Sequence, residues 1–139
     1  MSSTTDSLAG YTRSLLRIVA GLLFSCHGAQ KILGMFGGMG GTGAKAMFPS
    51  MIYSAGVLES VGGLLILFGL FTRFTAFILA GEMAVAYFTV HFQRGFWPIK
   101  NGGEPAVLYC FIFLYLAASG AGLLSLDHAI WGKSAREGT

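Results

Sequence analysis

Four apolar runs, each about twenty residues long, limit what this chain can fold into. They cover residues 14–33, 51–71, 74–92 and 105–126. A helix needs about twenty such residues to cross the hydrocarbon core of a bilayer, at ~1.5 Å rise per residue. Of the 139 residues, 54% are hydrophobic and 11% charged, where soluble domains carry about 25% charged residues. Too few charges remain to coat a water-soluble fold of this size. The sequence therefore predicts an all-α fold, a polytopic membrane protein built as an antiparallel bundle of four transmembrane helices. One domain spans 14–126, with polar tails at 1–13 and 127–139. Only Thr72 and Arg73 separate the second and third runs, so those two helices should form a tight hairpin. An even number of spans leaves both termini on one side.

The formal charge of +3, from nine Lys and Arg against six Asp and Glu, is scattered rather than clustered as a nucleic-acid footprint would be. Nucleic acid is therefore not an expected partner; the lipid bilayer is. Arg13, Arg17, Arg73, Lys133 and Arg136 fall on the side of the termini, and Lys31, Lys45, Arg94 and Lys100 on the other. That small bias predicts cytoplasmic termini. Trp97 and Trp131 are expected at opposite interfaces. The glycine-rich stretch 34–50 is not a phosphate-binding loop, because Ala46 follows Lys45 and no strand precedes it. It reads as a flexible or membrane-hugging connection. Cys26 and Cys110 form no C-x-x-C and are expected as free thiols packed like small hydrophobes. No metal site, haem-bridging histidine pair or dinucleotide fingerprint is present, and no covalent cofactor is expected.

Ionisable residues inside the runs carry the functional signal. Glu59 and Glu82 fall near the middle of their segments, where an ionisable side chain costs about 2.5–3.5 kcal/mol and is rarely idle. On adjacent hairpin helices they can approach each other. In the first run Arg17, Gly21, Phe24, Gly28 and Lys31 share one helical face, with His27 about 40° from Lys31 and Gln30 close by. Arg17 can snorkel or reach toward a mid-membrane glutamate, and with Arg73 it is expected to serve structural ion pairing. His91, nine residues beyond Glu82, faces the opposite side of a regular helix. Gly56, Ser60 and Gly63 offer a close-approach face in the second run, and Ser119 and Gly122 one in the fourth.

Taken in order, several segments resemble the DoxX family of small four-span membrane proteins. They are Arg17-x3-Gly21, HGAQKILG at 27–34, ESVGGLLILFGLFTR at 59–73, GEMAVAYFTVHF at 81–92, NGGE at 101–104 and GAGLLSLD at 120–127. The family's recurring residues map to His27, Gln30, Lys31, Glu59, Arg73, Asn101, Gly102, Gly103 and Glu104. The resemblance implies a membrane subunit like those of thiosulfate:quinone oxidoreductase. It also implies a larger redox complex, whose partners in this family include sulfurtransferases and superoxide-detoxifying proteins.

The expected function is thus a subunit of a respiratory or sulfur/thiol redox complex in a bacterial or archaeal inner membrane. It would face the quinone pool, act only with a soluble electron-donating partner, and assemble as a homo-oligomer or within a larger complex. His27, Gln30, Lys31, Asn101 and Glu104 are the expected quinone-binding residues, with Lys31 and Glu104 paired across the mouth of a cleft. Glu59 and Glu82 are the expected catalytic carriers of protons. A non-catalytic scaffold and a small proton-coupled transporter are the alternatives.

Overall fold

A computed structural model describes residues 2–132. Among these the regular structure is helical, with no strand. The first helix, α1 (Ser2–Leu33), runs for 32 residues and begins twelve positions before the first apolar run, so the expected N-terminal tail is helical. No proline interrupts this stretch. Its one glycine, Gly10, packs so closely on Leu123 that a Cβ there would lie 2.7 Å from Cγ. Tertiary contact therefore extends the helix where apolar patterning stops.

The second helix, α2 (Met51–Phe68), starts at Ser50, whose hydroxyl accepts from the Tyr53 amide at 3.1 Å, and stops at Gly69 in the left-handed region. The third, α3 (Thr72–Ala86), follows at once. It continues through a π-helical turn at Tyr87–His91 and a 3-10 turn at Phe92–Arg94. A short α4 (Pro98–Asn101) leads into α5 (Glu104–Ser119), and α6 (Leu126–Trp131) follows. Ser125 caps α6, accepting from the His128 amide at 3.1 Å.

Two helical stretches, Met51–Phe68 and Thr72–Arg94, are long and apolar enough to cross a membrane, while Glu104–Ser119 is shorter at 16 residues. The fourth apolar run does not stay helical to Leu126. Gly120 and Gly122 both adopt a φ of 83°, a backbone region that favours glycine, and 120–125 folds back onto α1. There Gly122 fits against Ser14 and the Gly10 carbonyl rather than lying on a helix face with Ser119. The C-terminal positions 133–139, including Lys133 and Arg136, lie outside the described residues.

Packing follows the small residues. Gly21 of α1 meets Leu67 and the Gly63 carbonyl, Gly28 meets Ser60 and the Gly56 carbonyl, and Gly63 meets Ser25. A side chain at Gly28 would overlap the Ser60 backbone, so the two helix backbones touch directly. On the other side α3 packs on α5. Phe24 bridges the pairs, 5.0 Å from the Tyr109 ring and 4.9 Å from Phe113. Ile66, Leu79, Phe113 and Leu116 complete the core.

Candidate functional site

The closeness of α1 and α2 creates the site. A Cβ on Gly56 would sit 2.9 Å from the Lys31 Cβ, so the lysine stem lies against α2 and its ammonium reaches the next turn. There Lys31 Nζ pairs with Glu59 Oε1. The Lys31 side chain is 28% exposed and that of Glu59 only 2%. The other Glu59 oxygen, Oε2, is buried and has no hydrogen-bond partner among the described residues. On α3, both carboxylate oxygens of Glu82 are likewise buried without a partner. Glu82 feels the charges of Glu59 and Lys31. One cation and two carboxylates thus share a low-dielectric interior, with three oxygens left free to accept.

Tyr109 of α5 closes the same region. Its phenol feels Glu59 and Cys26 electrostatically, and its ring meets the exposed His27 ring edge-on at 6.1 Å. Tyr109 is not among the residues expected from the sequence; its only signal there is a hydroxyl-bearing aromatic inside an apolar run, which Tyr115 shares. Gln30 is half-buried on α1. Cys26 and Cys110 are both free, half-buried thiols.

Other expected residues go elsewhere. Lys31 pairs with Glu59 and not with Glu104, because Gly28 and Gly56 bring α2, rather than α5, against the end of α1. Glu104 is exposed in the first turn of α5, where the helix dipole favours its charge. Asn101 is buried to 2% exposure and committed to its own connection. Its amide donates to the Gly95 carbonyl at 2.8 Å and to the Tyr87 hydroxyl at 3.4 Å, and its Oδ1 accepts from the Gly103 amide at 2.7 Å. The Tyr87 hydroxyl in turn donates to the Phe96 carbonyl. His91 lies on the π-helical turn with Nδ1 3.2 Å from the Asn101 carbonyl, so even a distorted helix carries it to this connection.

The arginines also bind backbone. Arg17, 1% exposed, donates through Nε to the Ala121 carbonyl at 2.9 Å and through Nη1 to those of Ile66 and Leu67 at 2.6 and 2.5 Å. Its Nη2 donates to the Leu124 carbonyl. Arg73 Nη1 donates to Ala117 and Ala118, and Arg13 Nη1 to Ser119, all carbonyls of the last turn of α5. Each places a cation where a helix end is negative. Asp127 does the converse at the start of α3, accepting from the Phe71 and Thr72 amides at 2.7 and 2.9 Å. Neither Arg17 nor Arg73 forms a carboxylate salt bridge among the described residues; the expected ion pairing is replaced by helix capping. No group of three or more His, Cys, Asp and Glu able to hold a metal comes together among them either.

The DoxX family model matches residues 12–92, more than half of the chain. The chain belongs to the DoxX family. This DoxX protein is 46% identical to an uncharacterized protein of Haemophilus influenzae over 130 residues, covering 88% of this chain and 93% of the relative. It is 32% identical over 113 residues to a Bacillus subtilis protein named "Putative oxidoreductase CatD", covering 81% and 82%. No solved structure matches it. Family and apolar helices together indicate a membrane protein. The matched stretch contains Lys31, Glu59 and Glu82, whereas Asn101, Glu104 and Tyr109 lie beyond it.

Proposed function

We propose that this DoxX protein is a multi-pass inner-membrane subunit of a redox complex, using the Lys31–Glu59–Glu82 cluster to exchange protons with a quinone head group. Four helices span the bilayer as an antiparallel bundle with cytoplasmic termini. The matched pairings of Gly21 with Leu67 and Gly28 with Ser60 support that arrangement for α1 and α2. Outward-facing Leu15, Leu22, Val61, Phe74, Phe77, Leu108 and Phe111 suit a lipid-contacting surface. A soluble partner subunit supplies the electrons, drawn from a sulfur or thiol compound as in thiosulfate:quinone oxidoreductase.

One observation carries the reading: two carboxylates beside a lysine, with three buried oxygens that have no partner among the described residues. Reducing a quinone takes two electrons and two protons. The Lys31 ammonium donates a hydrogen bond to a quinone carbonyl oxygen, where negative charge grows as electrons arrive. Glu59 and Glu82 deliver the protons in their acid forms and are recharged from the aqueous side. In the reverse direction their free oxygens accept from quinol hydroxyls. His27 and Gln30 lie beside Lys31 on α1 and line its approach.

Quinone extracted from the purified protein, quantified against total lipid, tests the ligand. Enrichment supports the reading; its absence removes the site. Glu59→Gln should leave the melting temperature nearly unchanged while lowering turnover of the assembled complex at least tenfold, the usual scale of a lost proton-transfer group, about 10²–10⁴. Full turnover in Glu59→Gln, with unfolding only in Glu59→Leu, would make the glutamate structural. That outcome favours a non-catalytic scaffold, the reading that Asn101, Arg17 and Arg73 support by binding only backbone and local groups.

A further inference from the structure

A second site emerges where α1, α3, α5 and α6 meet. Three guanidinium groups gather here, with Arg17 buried, Arg13 half-buried and Arg73 exposed. Arg17 is fully engaged, but among the described residues Arg13 and Arg73 each bond through Nη1 alone, and both commit it to the same helix end, at Ala117, Ala118 and Ser119. Two cations are thereby brought to one turn whose dipole offsets only about half a charge. The Arg13 Nε is buried and has no partner among the described residues. Gly120, with its φ of 83°, lets Arg73 lie flat against the chain: a Cβ there would sit 3.3 Å from Nη2 and 3.4 Å from Nε. The Asp127 carboxylate is already occupied by the Phe71 and Thr72 amides.

These groups open on a cavity of about 640 Å³ lined by both arginines, by Asp6 and Asp127 and by His128, with Phe71, Phe74 and Trp131 also on its wall. The aromatic side chains are exposed, and Trp131 packs on Phe71 with ring centroids 5.5 Å apart. The remaining donors of two planar guanidinium forks suit the oxygens of a tetrahedral oxyanion, which Arg binds in paired hydrogen bonds. The exposed rings suit the glycerol and upper acyl region of an amphiphile.

We propose that this cleft binds a phosphate-type oxyanion between Arg13 and Arg73. The oxyanion is supplied either by an anionic phospholipid headgroup or by a free anion. The site lies about 27 Å from Lys31 along α1, at ~1.5 Å per residue, and stands independently of the quinone reading.

Native mass spectrometry of the purified protein, titrated with phosphatidylglycerol or phosphatidylcholine, tests the lipid arm. Thermal shift with inorganic phosphate tests the free-anion arm. Retention of phosphatidylglycerol over phosphatidylcholine assigns the headgroup; a saturable shift with phosphate alone assigns the free anion. Arg73→Gln should weaken whichever ligand binds by roughly tenfold, as expected for a lost charge-assisted contact. Arg73→Lys, which keeps the charge and loses the fork, should weaken it less. If Arg73→Gln fails to fold, the wild-type titrations still decide. Equal retention of both lipids together with no phosphate effect overturns the proposal.

Discussion

Two regions of this small protein bury charge for opposite ends. Around Arg17 the guanidinium groups bind main-chain carbonyls, and Asp127 binds main-chain amides. Around Lys31 the ammonium pairs with Glu59, and three carboxylate oxygens have no partner among the described residues. Backbone carbonyls at a helix end need a donor whatever the protein does, so the main-chain contacts of the first region are explained by folding alone. Nothing in folding requires Glu82 to sit unpartnered inside the molecule, where an isolated polar group costs stability. The contrast separates charges bound to main-chain groups from charges bound to, or left beside, one another.

The largest effect should come from Arg17. In Arg17→Met the carbonyls of Ile66, Leu67, Ala121 and Leu124 lose their donor, at about 1–3 kcal/mol for each buried group left unsatisfied. Little monodisperse protein should survive size-exclusion chromatography in detergent. Arg17→Lys, with a point charge in place of a fork, should recover only part of the yield. A well-folded Arg17→Met would erase the distinction between the two regions.

Lys31→Met comes next. It strands the Glu59 carboxylate, and breaking a buried pair costs about 3–5 kcal/mol, an upper bound here because Lys31 is partly exposed. The double variant Lys31→Met/Glu59→Leu should regain most of the lost melting temperature, since replacing both partners by apolar groups is often neutral. If the proposed proton-exchange role holds, the double variant should nonetheless lose activity. Recovery of both stability and activity would place the cluster with the capping region.

Asp127→Ala should cost about 1 kcal/mol, the usual loss for a helix cap. Hydrogen exchange should localise that loss to the amides at the start of α3. The smallest effect belongs to Glu104→Gln, which removes only a helix-dipole interaction of about 0.3–1 kcal/mol. If its melting temperature fell as far as that of Lys31→Met, the lysine would be paired with Glu104 instead.

Much of the fold was legible because its causes are local. The length of the apolar runs located the helical segments, and a 3.6-residue repeat placed Arg17, Gly21, Phe24, Gly28 and Lys31 on one face, where Arg17, Gly21, Phe24 and Gly28 are buried. The glycines at 56 and 63 correctly marked a close approach beside Glu59. The end of the fourth helix was misplaced because 120–125 is apolar in composition, while Gly120 and Gly122 turn the chain and Arg13 and Arg73 cap the carbonyls this frees. The π-helical turn at Tyr87–His91 likewise leaves no mark in hydropathy.

The sequence alone determined that this is an all-helical DoxX protein whose apolar helices carry glutamates, since composition and helical period are properties of neighbouring residues. Only the tertiary structure decided that Lys31 meets Glu59, that Tyr109 stands beside them, and that the arginines cap helices instead of pairing with carboxylates. A side chain's partner depends on how closely distant segments approach. Here that distance is set by glycine contacts between α1 and α2, a cause lying outside any single helix.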